Sequence, residues 1–340
     1  MVKSSFLQPY KSIDLKQMDS KLSVLIVDDV HSGLMERFDE LSIQYSYQPD
    51  IHSNEIANVI KDYTALVVRS KIRIDKSLLQ ANKQLVLIAR AGSGMDNIDL
   101  EYAGICNVTC MNTPEANADA VAEQTVGMLL ALNHNLVKSN RQVVNGVWQR
   151  EDNRGIELSN CTVGIIGYGN TGSAFASKLA GFGCKIMAYD KYKHGFGSEL
   201  VEETELEDLM AHSDVISFHI PLTQETKNWI GAAWIDELTK NITLLNLSRG
   251  GIMKTADVIE AIKLKKIKAF ATDVLENEIL ESFNTKQRQE FQWLNDQDNV
   301  LITPHIGGWT KESYIKISNV LANKIEGWLK SDTNAVNTTT

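Results

Sequence analysis

Short, continuous apolar runs rich in Val, Ile and Leu recur along this chain, at 22–27, 65–68, 85–89, 162–166, 185–189, 215–219, 243–247, 268–272 and 300–303. Runs that are apolar throughout, rather than at every second residue, suit strands covered on both faces, as in parallel sheets. Helical patterns fall between them at 173–179, 206–211 and 255–264. This alternation predicts an α/β chain of doubly wound parallel sheets. One set of units fills roughly the first 110 residues and the other runs from 162 to 303. The total of 340 residues gives the same count of two domains, at about 150 residues per domain. The segment 118–132 is apolar over much of its circumference, as expected of a helix buried at a domain junction. Another helical stretch, 311–329, follows Pro304, the polar stretch 276–298 reads as a surface insertion, and SDTNAVNTTT at 331–340 reads as a disordered tail.

Composition narrows the function classes. With 43% apolar and 23% charged residues the chain is an ordinary globular one. Its 34 basic and 43 acidic residues leave a net charge of −9, which argues against a broad nucleic-acid surface. No apolar stretch is long enough to span a bilayer, and residues 1–21 lack the apolar core of a signal peptide, so a cytoplasmic protein without membrane or nucleic-acid partners is expected. Cys106, Cys110, Cys161 and Cys184 form no CxxC pair and no His cluster accompanies them, so no metal site is expected and the cysteines read as buried, reduced thiols.

The sharpest local feature is TVGIIGYGNTG at 162–172, which reads strand, Gly167-x-Gly169-x-x-Gly172, helix. Gly167 permits a tight turn, Gly169 lets a pyrophosphate approach the backbone, and Gly172 lets helix and strand pack closely. The helix start supplies unbonded N–H groups and a positive dipole end for phosphates. The next strand, KIMAYD, ends in Asp190, 18 residues after Gly172, where a carboxylate can accept hydrogen bonds from an adenosine ribose. It would repel a 2′-phosphate, so NAD is favoured over NADP, with Lys191 and Lys193 close enough to keep NADP open.

Three later segments carry polar residues at the carboxyl ends of expected strands, where ligands of open α/β sheets bind. They hold Asn246 and Arg249, then Asp273 and Glu278, then His305. A histidine exchanges a proton with an alcohol near neutral pH, a neighbouring carboxylate orients it, and an arginine clamps a substrate carboxylate. Together they suit hydride-transfer chemistry. Taken singly, Arg249 also reads as a loop cap, Glu278 as a solvated charge and His305 as a satisfied histidine beside a turn.

Together these segments resemble the D-isomer-specific 2-hydroxyacid dehydrogenase family, and within it the branch that acts on 3-phosphoglycerate. Seven motifs carry the resemblance in order: LVVRSK at 66–71, RAGSGMDNIDL at 90–100, MNTPEANADAVAEQTVGMLLAL at 111–132, GYGNTG at 167–172, NLSRGG at 246–251, ATDVLENE at 271–278 and TPHIGG at 303–308. The resemblance implies a Rossmann NAD-binding domain, residues 113–306, inserted into a flavodoxin-like substrate domain formed by 1–112 and 307–340, with the active site in the cleft between them. It implies a homodimer through the NAD-binding domain, and a short form without the C-terminal regulatory domain of longer members. Arg249, Glu278 and His305 are then the catalytic residues. Cofactor contacts are implied for Ser93, Thr125, Gly167, Gly169, Asn170, Thr171, Gly172, Asp190, Ile220, Leu247, Ser248 and Asp273, the last at the nicotinamide carboxamide. Substrate contacts are implied for Arg69, Ser70, Arg90, Arg249 and the backbone of Gly92, Ser93 and Gly94, read as an anion nest.

The chain departs from the family pattern at several places. Ile279 follows Glu278 where the family has Pro, Glu276 and Glu281 stand close by as rival carboxylates, Lys254 replaces an acidic residue, and bulky Trp309 follows the histidine. Arg69, Lys71, Arg73 and Arg90 form a basic set in an acidic chain, suited to a phosphorylated 2-hydroxy acid. The expected substrate pair is 3-phosphoglycerate and phosphohydroxypyruvate, a step toward serine, with glyoxylate or hydroxypyruvate as alternatives. A different class, an NAD-sensing corepressor-like binding protein, uses the same scaffold.

Overall fold

The computed structural model describes residues 22–337, with side chains as far as Ser331. The leaderless reading of residues 1–21 falls outside the described residues. The chain forms two compact units, one running to Asn117 and resuming at Lys311, the other Ala118–Thr310. These junctions lie a few residues beyond 112/113 and 306/307. At the first, Thr113 N–H donates to Gly92 O and Ala116 is buried in the first unit's core. At the second, Ile306 and Gly307 are bonded to Asp273 of the second unit.

The first unit runs β1 (Ser23–Ile26), α1 (Gly33–Glu40), β2 (Gln44–Tyr47), α2 (Ser53–Val59), β3 (Ala65–Val68), α3 (Lys76–Ala81), β4 (Leu87–Arg90), α4 (Leu100–Ile105) and β5 (Thr109–Met111). The strands are parallel in the order β2-β1-β3-β4-β5, the flavodoxin-like arrangement. Alternate residues of one strand feed opposite cores. Val24 and Ile26 pack with Leu34 and Phe38 of α1, while Leu25 packs with Ile56, Leu78 and Leu79 of α2 and α3. The last helix, Lys311–Asn337, returns to α1's face through Ile317, Leu321 and Ile325, and Glu326 pairs with Arg37 at 2.7 Å. Asp75 and Asp99 cap α3 and α4 by accepting first-turn N–H groups.

The second unit runs α5 (Ala118–Asn133), α6 (Leu136–Val144), β6 (Thr162–Ile166), α7 (Asn170–Leu179), β7 (Lys185–Tyr189), β8 (Glu202–Glu203), α8 (Leu206–His212), β9 (Val215–Phe218), α9 (Ala232–Asp236), β10 (Ile242–Asn246), α10 (Thr255–Lys263), β11 (Ile267–Thr272), α11 (Thr285–Asn295) and β12 (Val300–Ile302). Its parallel order, β12-β11-β10-β9-β6-β7-β8, is the Rossmann order extended by one strand. Val163 and Ile165 of β6 pack with Leu129 of α5 and Phe175 of α7 on one face. Ile216 and Phe218 of β9 pack with Leu209 of α8 and Val258 of α10 on the other. Among the described residues no helix is long and apolar enough to cross a membrane.

Three expectations are corrected. The stretch 276–298 is not a bare insertion: α11 lies in it, opened by an Asn284–Gln287 capping box and anchored by buried Leu294. The last helix continues to Asn337, through most of the stretch read as a disordered tail, and 338–340 lie outside the described residues. The edge strands β2, β5 and β8 are absent from the apolar runs because QYSY, TCM and EE are polar or very short, whereas the fourth edge strand, β12, keeps an apolar run.

His219 follows β9 and sits against Phe175, ring centroids 5.3 Å apart, with Nε2 2.9 Å from Ser217 Oγ. Burial pushes its imidazole down from 6.5 to about 3. The unfolded chain therefore takes up a proton below 6.5 that the folded chain refuses until near 3. The stability His219 contributes is complete above 6.5 and is lost as the pH falls through that window. Urea unfolding between pH 7.5 and 4.5 is expected to show a steeper loss of stability in the native chain than in His219→Gln. Parallel curves would exclude His219 as the group responsible.

Candidate active site

The turn between β6 and α7 is fixed by two glycines. Gly167 has φ +95°, and a Cβ there would lie 2.5 Å from His219 O; a Cβ on Gly172 would lie 2.0 Å from Gly167 O. Only bare backbone lets the start of α7 approach β6 this closely. A Cβ at Gly169 would meet nothing within 4 Å, so the turn opens there. First-turn N–H groups of α7, Asn170 and Thr171 among them, have no carbonyl of their own helix to bond. A Cβ on Gly167 would also lie 2.8 Å from Ile220 Cγ2, which places Ile220 beside the turn. These features fit a dinucleotide's pyrophosphate.

Asp190 is locked at the end of β7. Its Oδ2 accepts from Tyr168 N–H at 2.7 Å and its Oδ1 from Tyr192 and Lys193 N–H at 3.0 Å. A carboxylate offers about four acceptor positions, so room remains for a ribose hydroxyl. The two nearby lysines have other partners. Lys191 pairs with Glu225, and Lys193 donates to Tyr168 O and lies over the stacked Tyr168 and Phe196 rings.

The loops after β10, β11 and β12 hold the residues singled out for chemistry. Because these strands are neighbours, their carboxyl ends lie side by side. After β12, His305 Nδ1 lies 2.9 and 3.0 Å from the two oxygens of Glu278. Of the rival carboxylates, Glu276 is engaged elsewhere, accepting from Thr255 N–H at 2.8 Å at the start of α10. An Nδ1–H held by Glu278 leaves Nε2 as the ring atom to exchange a proton. Arg249 follows β10, with Nη1 2.6 Å from Ser248 O, while Asn246 braces the loop by donating to Arg249 O and accepting from Ser248. A Cβ on Gly250 would lie 1.9 Å from Leu275 O, so the β10 loop can lie against the β11 loop only with glycine there. Leu247 is buried near Gly307. Asp273 turns both carboxylate oxygens onto the His305 turn, accepting from Ile306 and Gly307 N–H and from Thr303 Oγ1.

In the first unit, Arg69 and Ser70 follow β3. Arg69 Nη1 donates to Asp29 O at 3.2 Å, and its guanidinium lies 5.9 Å from the Tyr314 ring centre. Asp29 also accepts from Tyr47 and Tyr314, and burial followed by that bond pushes the Tyr314 phenol up to about 12. Lys71 donates to Pro49 O. After β4 the Arg90 guanidinium lies where a Cβ of Gly92 would stand, and Asn112 donates to Ser93 O.

Two of the residues with implied contacts already have partners within their own units. Thr125 is buried and its hydroxyl donates to Val121 O of its own helix. Of the nest Gly92-Ser93-Gly94, Gly92 N–H is already bonded to Arg90 O. Two residues that organise the first unit's loops escaped the sequence reading. Buried Asp28 accepts from Arg69 and Lys71 N–H, and Asn97 donates to the carbonyls of Arg69 and Ile72. The position of Asp28, directly after an apolar strand, was its available signal.

The family described as D-isomer specific 2-hydroxyacid dehydrogenase, NAD binding domain, matches residues 126–307. A D-3-phosphoglycerate dehydrogenase of Methanocaldococcus jannaschii is 32% identical over 92% of this chain, and a hydroxypyruvate reductase of Thermotoga maritima is 33% identical over 88%. The chain spans 58% of the length of the first relative and 94% of the second. The crystal structure of D-lactate dehydrogenase from Aquifex aeolicus, complexed with NAD and lactic acid, aligns with a TM-score of 0.80 at 26% identity, covering 93% of this chain and 97% of that one. With its Rossmann-ordered sheet, its glycine turn and this match, the chain belongs to the D-isomer specific 2-hydroxyacid dehydrogenase family and carries that family's NAD-binding domain.

Proposed function

We propose that this protein is an NAD-dependent dehydrogenase of small D-2-hydroxy acids, with 3-phosphoglycerate and phosphohydroxypyruvate as its substrate pair. The observation that carries the reaction type is the His305–Glu278 pair, set beyond β12 in the same unit as the glycine turn. In the oxidation direction His305 Nε2 takes the proton of the C2 hydroxyl, and Glu278 stabilises the imidazolium that results. Arg249 binds the substrate carboxylate and polarises the C2 oxygen. Bound NAD supplies the hydride acceptor. The backbone of Asn170 and Thr171 would hold its pyrophosphate and Asp190 its ribose.

The phosphate of the substrate is assigned to the basic loops of the first unit, with Arg69 and Arg90 as its partners. Relatives named D-3-phosphoglycerate dehydrogenase support this assignment. A second reading, hydroxypyruvate or glyoxylate, is favoured by the engagement of Arg69 with Asp29 O and Tyr314 and by the relative named hydroxypyruvate reductase. NADH oxidation with each ketoacid decides between them. Phosphohydroxypyruvate is expected to turn over faster than hydroxypyruvate or glyoxylate; the reverse order sinks the phosphoglycerate assignment. No turnover with any 2-ketoacid would support the NAD-sensing binding protein instead. His305→Gln is expected to lower kcat by about 10²- to 10⁴-fold, the usual worth of a general acid–base group, and near-normal activity would remove the acid–base role.

A homodimer through the NAD-binding unit belongs to the same proposal. The helix α6 has no buried residue, and Leu136, Val143, Val144 and Trp148 on it and just beyond it are exposed, Trp148 by 79%. The arm returns to the body where Ile156 N–H donates to Asn133 O. Apolar side chains gathered on one outer arm mark an association surface. Light scattering after gel filtration is expected to show a dimer for the native chain and a monomer for Val144→Asp/Trp148→Asp. An unchanged mass in the double variant would place the interface elsewhere.

A further inference from the structure

The loop after β7 carries three basic side chains, Lys191, Lys193 and His194, beside Asp190. Cations so placed would suit the 2′-phosphate of NADP unless other groups held them. Each lies against another group. Lys193 Nζ donates to Tyr168 O at 3.3 Å and stands 5.2 Å from the centre of the Tyr168 ring, which stacks on Phe196. His194 Nδ1 lies 4.0 Å from Glu203 Oε1. Lys191 pairs with Oε1 of Glu225, and Oε2 of Glu225 accepts from the Tyr192 hydroxyl at 3.1 Å. Glu225 belongs to a different loop, the one after β9. Strand β6 lies between β9 and β7, so a side chain of the β9 loop meets one of the β7 loop only by passing over the carboxyl end of β6, where the glycine turn stands. The β9 loop is closed on itself. Thr226 Oγ1 donates to Pro221 O at 2.7 Å and accepts from Thr223 N–H at 2.8 Å, and Lys227 N–H donates to Thr223 O at 3.0 Å. Glu225 therefore reaches across from a fixed turn.

We propose that Glu225 sets the preference for NAD over NADP by holding Lys191, the cation that a 2′-phosphate would need. The inference rests on the reading of Asp190 as the ribose partner and adds to it a second carboxylate from across the crevice. Asp190 alone repels a 2′-phosphate, but a lysine in the next position could offset that repulsion. The pair with Glu225 takes that lysine away. Lys191 and Glu225 are about half exposed, at 51% and 53% of the side chain. A pair this open adds little to stability, so its consequence lies in the charge that the loop offers a ligand. Specificity arises here from withholding an attractive group as well as from placing a repulsive one.

The test measures Kd for NADH and for NADPH by cofactor fluorescence, without substrate, in the native chain, Glu225→Gln, Lys191→Ala/Glu225→Gln, Tyr192→Phe and Asp190→Ala. The native chain is expected to prefer NADH. Glu225→Gln is expected to tighten NADPH about tenfold, the worth of one hydrogen bond to a charged group, while NADH stays within about two-fold. Raising the salt to about 1 M shrinks the gain. The double variant, which has no lysine to release, is expected to lose it. Tyr192→Phe removes a bond to Glu225 but no charge, and is expected to leave both affinities in place. Four results would overturn the proposal. An unmoved NADPH affinity in Glu225→Gln leaves the discrimination to Asp190. A gain that survives the loss of Lys191 assigns it to the charge of Glu225 itself. Equal weakening of both cofactors in Glu225→Gln, or an equal gain in Tyr192→Phe, makes Glu225 a brace between loops. Failure of the ribose reading is seen separately, as unchanged NADH affinity in Asp190→Ala.

Discussion

A parallel strand covered on both faces has only its ends left for chemistry, and the placement of every candidate residue here follows from that constraint. In the second unit β6 lies between β9 and β7, so crossovers leave it toward opposite faces and a crevice opens at the carboxyl ends of β6 and β9. The glycine turn stands on one side of this crevice and His219-Ile220 on the other, so close that a Cβ on Gly167 would clash with both. The neighbouring ends of β10, β11 and β12 place Arg249, Glu278 and His305 on consecutive loops, and Gly250 lets two of those loops touch. The core sets these positions before any side chain of the site makes a contact.

The strands that carry this arrangement were legible because burial on both faces writes itself into the sequence as an unbroken apolar run. Each of the nine runs corresponds to a strand, the edge strand β12 among them, whereas the edge strands β2, β5 and β8 did not register because they are polar or only two or three residues long. The glycine turn was legible for a related reason, since a backbone that approaches another backbone must omit its Cβ. Long-range pairing was not legible. By composition and spacing Glu276, Glu278 and Glu281 are near-equivalent; the motif resemblance pointed to Glu278, and the fold brings that one to His305 and Glu276 to the start of α10. Nor does sequence show that the Thr125 hydroxyl bonds Val121 O one turn back. Asp28 and Asn97 act on backbone atoms, which every sequence offers equally, so nothing in the residues they hold announces them.

The acidic excess has a structural share. Several carboxylates hold backbone turns. Asp28 holds the loop after β3, Asp190 joins the ends of β6 and β7, and Glu276 opens α10. Glu203 gathers the N–H groups of Gly195, Phe196 and Gly197, and although desolvation pushes its carboxyl up, those bonds outweigh it and leave it below the usual range. Asp214 behaves alike: desolvation raises it, and Thr162 N–H with Lys240 more than reverse the shift. A charged acceptor binds an N–H more strongly than a carbonyl does, which suits turns that have lost their sheet partners.

Asp273 is the extreme case of this device, because the turn it holds is conformationally unfavourable. A left-handed residue other than glycine costs about 1–2 kcal/mol, and His305 is such a residue. Hydrogen bonds to a charged group contribute about 1.5–3 kcal/mol each, and Asp273 receives three from the residues around it. The carboxylate therefore offsets the strain with a margin, and it does so with two of its donors on backbone that any sequence would present. Glu278 alone would not suffice. Both it and His305 are nearly half exposed, at 45% and 46% of the side chain, and a pair so open to water contributes at most about 1 kcal/mol. The backbone that carries the imidazole is thus held from below, through buried hydrogen bonds, and the pairing with Glu278 holds the ring itself.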